Sequence, residues 1–259
     1  MKILSNYAAL VLLMLAGSLA GQAQTRLYGD VNSDSEVTLA DVNAVINVIL
    51  GGSAPTPPPD PNGHEYVDLG LPSGTLWATC NVGASSPEEY GSYFAWGETS
   101  PKNYYSWKTY KWCICYEDEW WMVDFTKYCV DSSYGNVDFK AELQTEDDAA
   151  YVNWGPLWRM PTRVQLRELS FYCTCTKTQR NGVNGMLVTG PNGNTMFLPS
   201  AGCSDIDDSV GEYCRYWSRT LNTSQTESGI TLKDNFYHDD IIDVEDRCIG
   251  LPVRAVRVP

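Results

Sequence analysis

The sequence predicts an α+β domain of short strands and two helices, preceded by a small EF-hand-like loop–helix module. Three observations predict this. A proline-rich stretch divides the chain. Acidic and amide residues recur at calcium-loop spacing ahead of it. Short strand-like runs, broken by glycine turns and by two helical patterns, fill the rest.

The divider is Ala54-Pro-Thr-Pro-Pro-Pro-Asp-Pro-Asn-Gly63, with five prolines in ten residues. Proline fixes φ and favours extended polyproline geometry, so residues 53–64 read as a semi-rigid linker. Residues 65–259 then have the length of one domain. The 43% hydrophobic content of the 259 residues is enough to bury a core.

The segment ahead of the linker reads Asp30-Val-Asn32-Ser-Asp34-Ser-Glu36-Val-Thr38-Leu-Ala-Asp41. Oxygen side chains fall at loop positions 1, 3, 5, 9 and 12, and Glu36 at position 7 offers its carbonyl. That spacing wraps six to eight oxygens around a hard cation, so Ca2+ is the expected cofactor, with Asp30, Asn32, Asp34, Glu36, Thr38 and Asp41 as its ligand set. Leu39, Val42, Val45, Ile46, Ile49 and Leu50 follow at helical spacing, and Gly51-Gly52 ends the run. The competing reading is an Asp/Asn-rich turn that caps the helix without metal. Ser35 occupies position 6, where such loops use glycine for the sharp turn.

Beyond the linker, Tyr66–Leu69 and Thr75–Thr79 read as strands around a Pro72-Ser73-Gly74 turn. Met186–Thr189 and Thr195–Leu198 read as a hairpin around Asn192-Gly193. Thr162–Leu169 reads as a helix, because Thr162 and Gln165 have capping-box spacing. A second helix is expected over Glu146–Val152. Trp77, Trp96, Trp158 and Trp217 are expected in the core, and Gly70, Gly74, Gly83 and Gly97 in turns.

The ends and the charge bound localisation and partners. Lys2, the apolar run Ala8–Ala16 and the small residues of Gly21-Gln22-Ala23 predict a cleaved signal peptide over residues 1–23. No cysteine precedes Cys80, so no lipid-anchored N-terminal cysteine is expected, and the protein is expected to be secreted or at the cell surface. No apolar run approaches the length of a membrane helix. A net charge of −14 argues against nucleic acid, which needs basic patches to neutralise phosphates. Nine cysteines fit an oxidising compartment, as structural disulfides or buried thiols. The Cys113-x-Cys115 and Cys173-x-Cys175 pairs are closer than zinc sites use.

Two resemblances add to this reading. The Asp30–Asp41 loop and its helix resemble a single dockerin repeat, which implies a cohesin-like partner, although cellulosomal dockerins carry two repeats. Behind the linker, seven phrases converge: Tyr66-Val-Asp-Leu-Gly-Leu-Pro-Ser-Gly-Thr-Leu-Trp-Ala78, Asn81-Val-Gly-Ala84, Tyr93-Phe-Ala-Trp-Gly-Glu98, Trp158-Arg-Met-Pro-Thr162, Phe197-Leu-Pro-Ser-Ala-Gly202, Tyr216-Trp-Ser-Arg219 and Val253-Arg-Ala-Val-Arg257. Together they resemble the Fibrobacter succinogenes major paralogous domain, found in exported proteins of gut and rumen bacteria. The resemblance implies a C-type-lectin-like fold in which the first and last strands pair, setting Tyr66–Leu69 beside Val253–Val258. It implies no catalytic set. The Glu-Pro-Asn or Gln-Pro-Asp and Trp-Asn-Asp signatures of calcium-dependent sugar binding do not occur, so that sugar site is not expected.

Candidate ligand contacts come from the aromatic-rich segment Tyr104–Trp121, chiefly Tyr105, Trp107, Trp112, Trp120 and Trp121. Exposed aromatic patches mark binding surfaces; the alternative is a satellite core. A glycan or a cell-surface protein is the partner such a patch implies. Only His64 and His238 could act as a histidine base, and no nucleophile elbow, zinc signature or phosphate loop occurs. The expected function is a secreted, non-catalytic binding or surface-interaction protein. The alternative is a component of polysaccharide degradation, since glycosidases need only two carboxylates.

Overall fold

A computed structural model describes residues 59–116, 123–204, 210–234 and 241–257. The expected signal peptide, calcium loop and following helix lie outside the described residues, as does the linker up to residue 58. The chain divides at Asp60, and Asp60–Val258 forms one compact unit.

In chain order the strands are β1 (Tyr66–Asp68), β2 (Leu76–Ala78), β3 (Tyr93–Phe94), β4 (Cys113–Cys115), β5 (Val123–Phe125), β6 (Thr174–Arg180), β7 (Val183–Thr189), β8 (Thr195–Pro199), β9 (Arg215–Leu221), β10 (Ser228–Lys233), β11 (Ile242–Asp246), β12 (Leu251–Pro252) and β13 (Val256–Arg257). The helices α1 (Ala149–Trp154) and α2 (Arg163–Tyr172) lie between β5 and β6. The strands form small antiparallel sheets, ordered β1-β2-β13, β6-β7-β8, β11-β10-β9, β12-β3 and β4-β5. The architecture is therefore α+β.

The expected pairing of first and last strands needs correction. β2 lies between them, with Val67 and Val256 both opposite Trp77. The Pro72-Ser73-Gly74 turn folds β2 directly back on β1, so the C-terminal strand meets the free edge of β2 instead.

Local chemistry accounts for the elements. Thr162 caps α2 by accepting from the Gln165 amide, and the Gln165 side chain returns to the Thr162 N–H. Glu168 then ties the helix to the β1–β2 turn by accepting from the Ser73 amide at 3.1 Å. The other helix begins later than expected. Asp148 caps it, its carboxylate accepting from Ala150, Tyr151 and Met160, and Thr145–Asp147 forms a tighter 3-10 turn ahead of it. Asn181 and Gly182, at φ +50° and +83°, make the two-residue turn of the β6–β7 hairpin. Gly193 closes β7–β8 at φ +85°.

Two apolar clusters form the core. One gathers Trp96, Trp158, Trp217, Tyr128 and Phe125; the other packs Trp77, Leu166, Leu169, Val188, Leu198 and Tyr216 beneath α2 and the hairpin sheet. The buried indoles are satisfied where backbone reaches them. Trp96 donates to the Ser218 carbonyl and Trp217 to the Phe94 carbonyl, at 2.9 and 2.8 Å. Gly229 lies between these two rings, where a Cβ would come within 2.8 Å of one and 2.9 Å of the other.

Candidate functional site

The six expected calcium ligands, Asp30, Asn32, Asp34, Glu36, Thr38 and Asp41, lie outside the described residues, as do Trp120, Trp121 and His238. Among the described residues no three His, Cys, Asp or Glu side chains converge as a metal site, so the calcium expectation rests on the loop's own spacing.

Tyr105, Trp107, Tyr110 and Trp112 of the Tyr104–Trp121 segment are held by internal partners. Tyr105 is buried, donating its hydroxyl to the Tyr93 carbonyl at 2.6 Å. Trp107 is half-buried, edge-on to Tyr110 and Phe125. Trp112 donates to the Gly97 carbonyl at 2.7 Å, and the Lys111 and Lys127 ammoniums lie 4.1 and 4.9 Å from its ring centroid. Both lysines also pair with buried Asp147, which accepts from the Tyr128 hydroxyl at 2.7 Å. Tyr104 and Tyr116 are the exposed members of the segment.

Behind them lies a buried arginine. Arg247 donates through Nε to the Tyr110 hydroxyl (2.9 Å), through Nη1 to the Tyr128 and Thr226 carbonyls (3.1 Å each) and through Nη2 to the Lys127 carbonyl (3.0 Å). Its guanidinium carbon lies 4.3 Å from the Phe125 centroid and 5.0 Å from that of Trp96. Hydrogen bonds and ring faces thus replace the water that a buried cation gives up. Burial pushes the Tyr110 hydroxyl up, against the pull of Arg247. This is an architectural knot that ties the aromatic segment to the C-terminal strands.

Several other titratable groups are also fastened inward. His64 stacks on Trp154 at 4.1 Å. Arg159 donates to the Pro156 and Trp158 carbonyls and lies over the Tyr151 ring at 4.0 Å. Burial raises the Asp148 carboxyl, although Arg219 and the amide donors oppose it. The nine cysteines are thiols. Burial pushes Cys113 and Cys173 to about 11 and Cys214 to about 12, which disfavours the reactive thiolate.

A cleft opens elsewhere, between the β6–β7 hairpin and the segment entering β9. Its volume is about 500 Å³, and Lys177, Thr178, Asn184, Ser200, Glu212 and Tyr213 line it. A ladder of hydrogen bonds sets its frame: Ser200 N to Asn184 O (2.8 Å), Gly211 N to Ser200 O (2.7 Å) and Asn184 Nδ2 to Gly211 O (2.9 Å). Lys177 Nζ stands 5.8 Å from the Tyr213 ring centroid and 3.4 Å from Asp234 Oδ2. Asp234 is only 4% exposed and accepts from the Cys214 amide at 2.9 Å. Burial raises its carboxyl, with Lys177 opposing. Sequence reading did not single out this cleft; Asn181-Gly182 was its one available signal, as a hairpin turn. Comparison of the chain with family models, curated proteins and solved structures finds no match. Among the described residues no helix is long and apolar enough to cross a membrane.

Proposed function

We propose that this chain is an exported, non-catalytic binding protein whose 65–259 domain faces a carbohydrate ligand and whose N-terminal arm binds calcium. The observation that carries the reading is the polar cleft beside Tyr213, whose volume of about 500 Å³ falls in the range that holds small ligands. Non-catalytic binding is favoured because Asp147, Asp148 and Arg247 spend their polar atoms on cations, amides and carbonyls of the fold.

The seven phrases support membership of the Fibrobacter succinogenes major paralogous domain family, and with it a C-type-lectin-like fold in which β2 mediates between the terminal strands. The single dockerin-like repeat supports a calcium-stiffened attachment arm, with a cohesin-like protein as the partner such a helix would meet. The full chain on an array of glycans and mucins, with released reducing ends measured in parallel, tests the reading. Binding without release is expected. Release of reducing ends would move the chain to polysaccharide degradation. Silence in both assays would remove carbohydrate altogether.

A further inference from the structure

We propose that the cleft lined by Lys177, Thr178, Glu212 and Tyr213 takes one uncharged, hydroxyl-rich sugar ring and rejects acidic sugars. This rests on the carbohydrate reading above and names its site and ligand class.

The aromatic wall comes first. Tyr213 is 39% exposed at the cleft, so a sugar ring can cover apolar carbon there while its hydroxyls stay in polar surroundings. Those hydroxyls would meet the ammonium of Lys177 and the carboxylate of Glu212. The set mixes donors with acceptors, which suits groups that both donate and accept. The ladder through Asn184, Ser200 and Gly211 presets the frame, so little ordering is needed on binding.

Charge decides the class. Lys177 looks like an anion receptor, but Asp234 behind it cancels its charge from a position almost sealed from water. An anion that drew Lys177 forward would leave the Asp234 carboxylate buried without its cation, and uncompensated buried charges are strongly unfavourable. Glu212 at the rim and the net charge of −14 repel the same ligand. A neutral ring receives one donated hydrogen bond from Lys177 and leaves the ion pair standing.

Binding of the full chain to neutral hexose oligosaccharides and to their sialylated and uronic-acid counterparts tests this, with Tyr213→Ala and Asp234→Asn alongside. The parent is expected to prefer neutral ligands. Tyr213→Ala removes a partly exposed ring and should raise Kd about tenfold or more, as loss of an aromatic anchor does. Asp234→Asn keeps an oxygen for the Cys214 amide but releases the charge of Lys177, so preference should move toward the acidic ligands. Glycan binding that Tyr213→Ala leaves intact, or a parent that prefers acidic sugars, overturns the cleft assignment and leaves the carbohydrate reading standing. No glycan binding at all overturns both.

Discussion

Replacing Arg247 with methionine keeps an unbranched apolar stem in the core and removes the guanidinium. Three carbonyls, those of Tyr128, Thr226 and Lys127, then lose their donors inside the protein, and Tyr110 loses one partner while still donating to the Trp96 carbonyl. A buried acceptor left unmatched costs about 1–3 kcal/mol, so three at the low end give about 3 kcal/mol. Contact of the cation with the Phe125, Trp96 and Tyr110 rings is also lost, but the cost of burying the charge disappears, and these oppose one another. For a domain of this size each kcal/mol moves Tm by about 2–4 °C, so a fall of roughly 6–12 °C is expected. Thermal unfolding followed by circular dichroism reads it directly. Arg180→Met is the control, because Arg180 pairs with Glu88 from a half-exposed position and should change stability by no more than about 0.5 kcal/mol. A fall in Arg247→Met no larger than that of the control would refute the buried knot.

Three further outcomes can be measured. Gly190→Ala places a Cβ 2.1 Å from the Leu69 carbonyl oxygen, so urea unfolding should show a loss of at least about 1–3 kcal/mol. Asp234 has a carboxyl raised by burial, so its acid form suits the fold; the associated stability is present below the ordinary value of 3.8 and is lost as pH rises through the folded value. Asp234→Asn stays neutral throughout, so its stability relative to the parent should improve as pH climbs from 3 toward 7, and a flat or opposite trend in urea midpoints counts against the assignment. Calcium added to the full chain should bring heat and a gain of helix that Asp30→Ala and Asp41→Ala abolish, whereas silence at millimolar calcium removes the metal site.

Much of the fold follows from short-range chemistry that sequence displays. Thr162 and Gln165 announce α2, Asn192-Gly193 announces the β7–β8 turn, and the four tryptophans expected inside are all buried. The β6–β7 hairpin is harder to read because β6, Thr-Cys-Thr-Lys-Thr-Gln-Arg, is mostly exposed and lacks the apolar alternation that identifies a half-buried strand. Arg247, Arg254 and Arg257 are buried, contrary to the ordinary place of arginine, because carbonyls and rings distant in sequence converge on them. The cleft was hidden for the same reason. Lys177, Glu212 and Asp234 carry no common motif, and it takes the hairpin, the entry to β9 and the end of β10 to bring them together.

The measurement that bears most directly on function is the affinity of the full chain for neutral hexose oligosaccharides, compared between the parent and Tyr213→Ala. Binding by the parent that weakens about tenfold or more in the variant, with Tm unchanged, is the result expected of a sugar cleft at Tyr213. Equal affinity in the two proteins, or none in the parent, would contradict it.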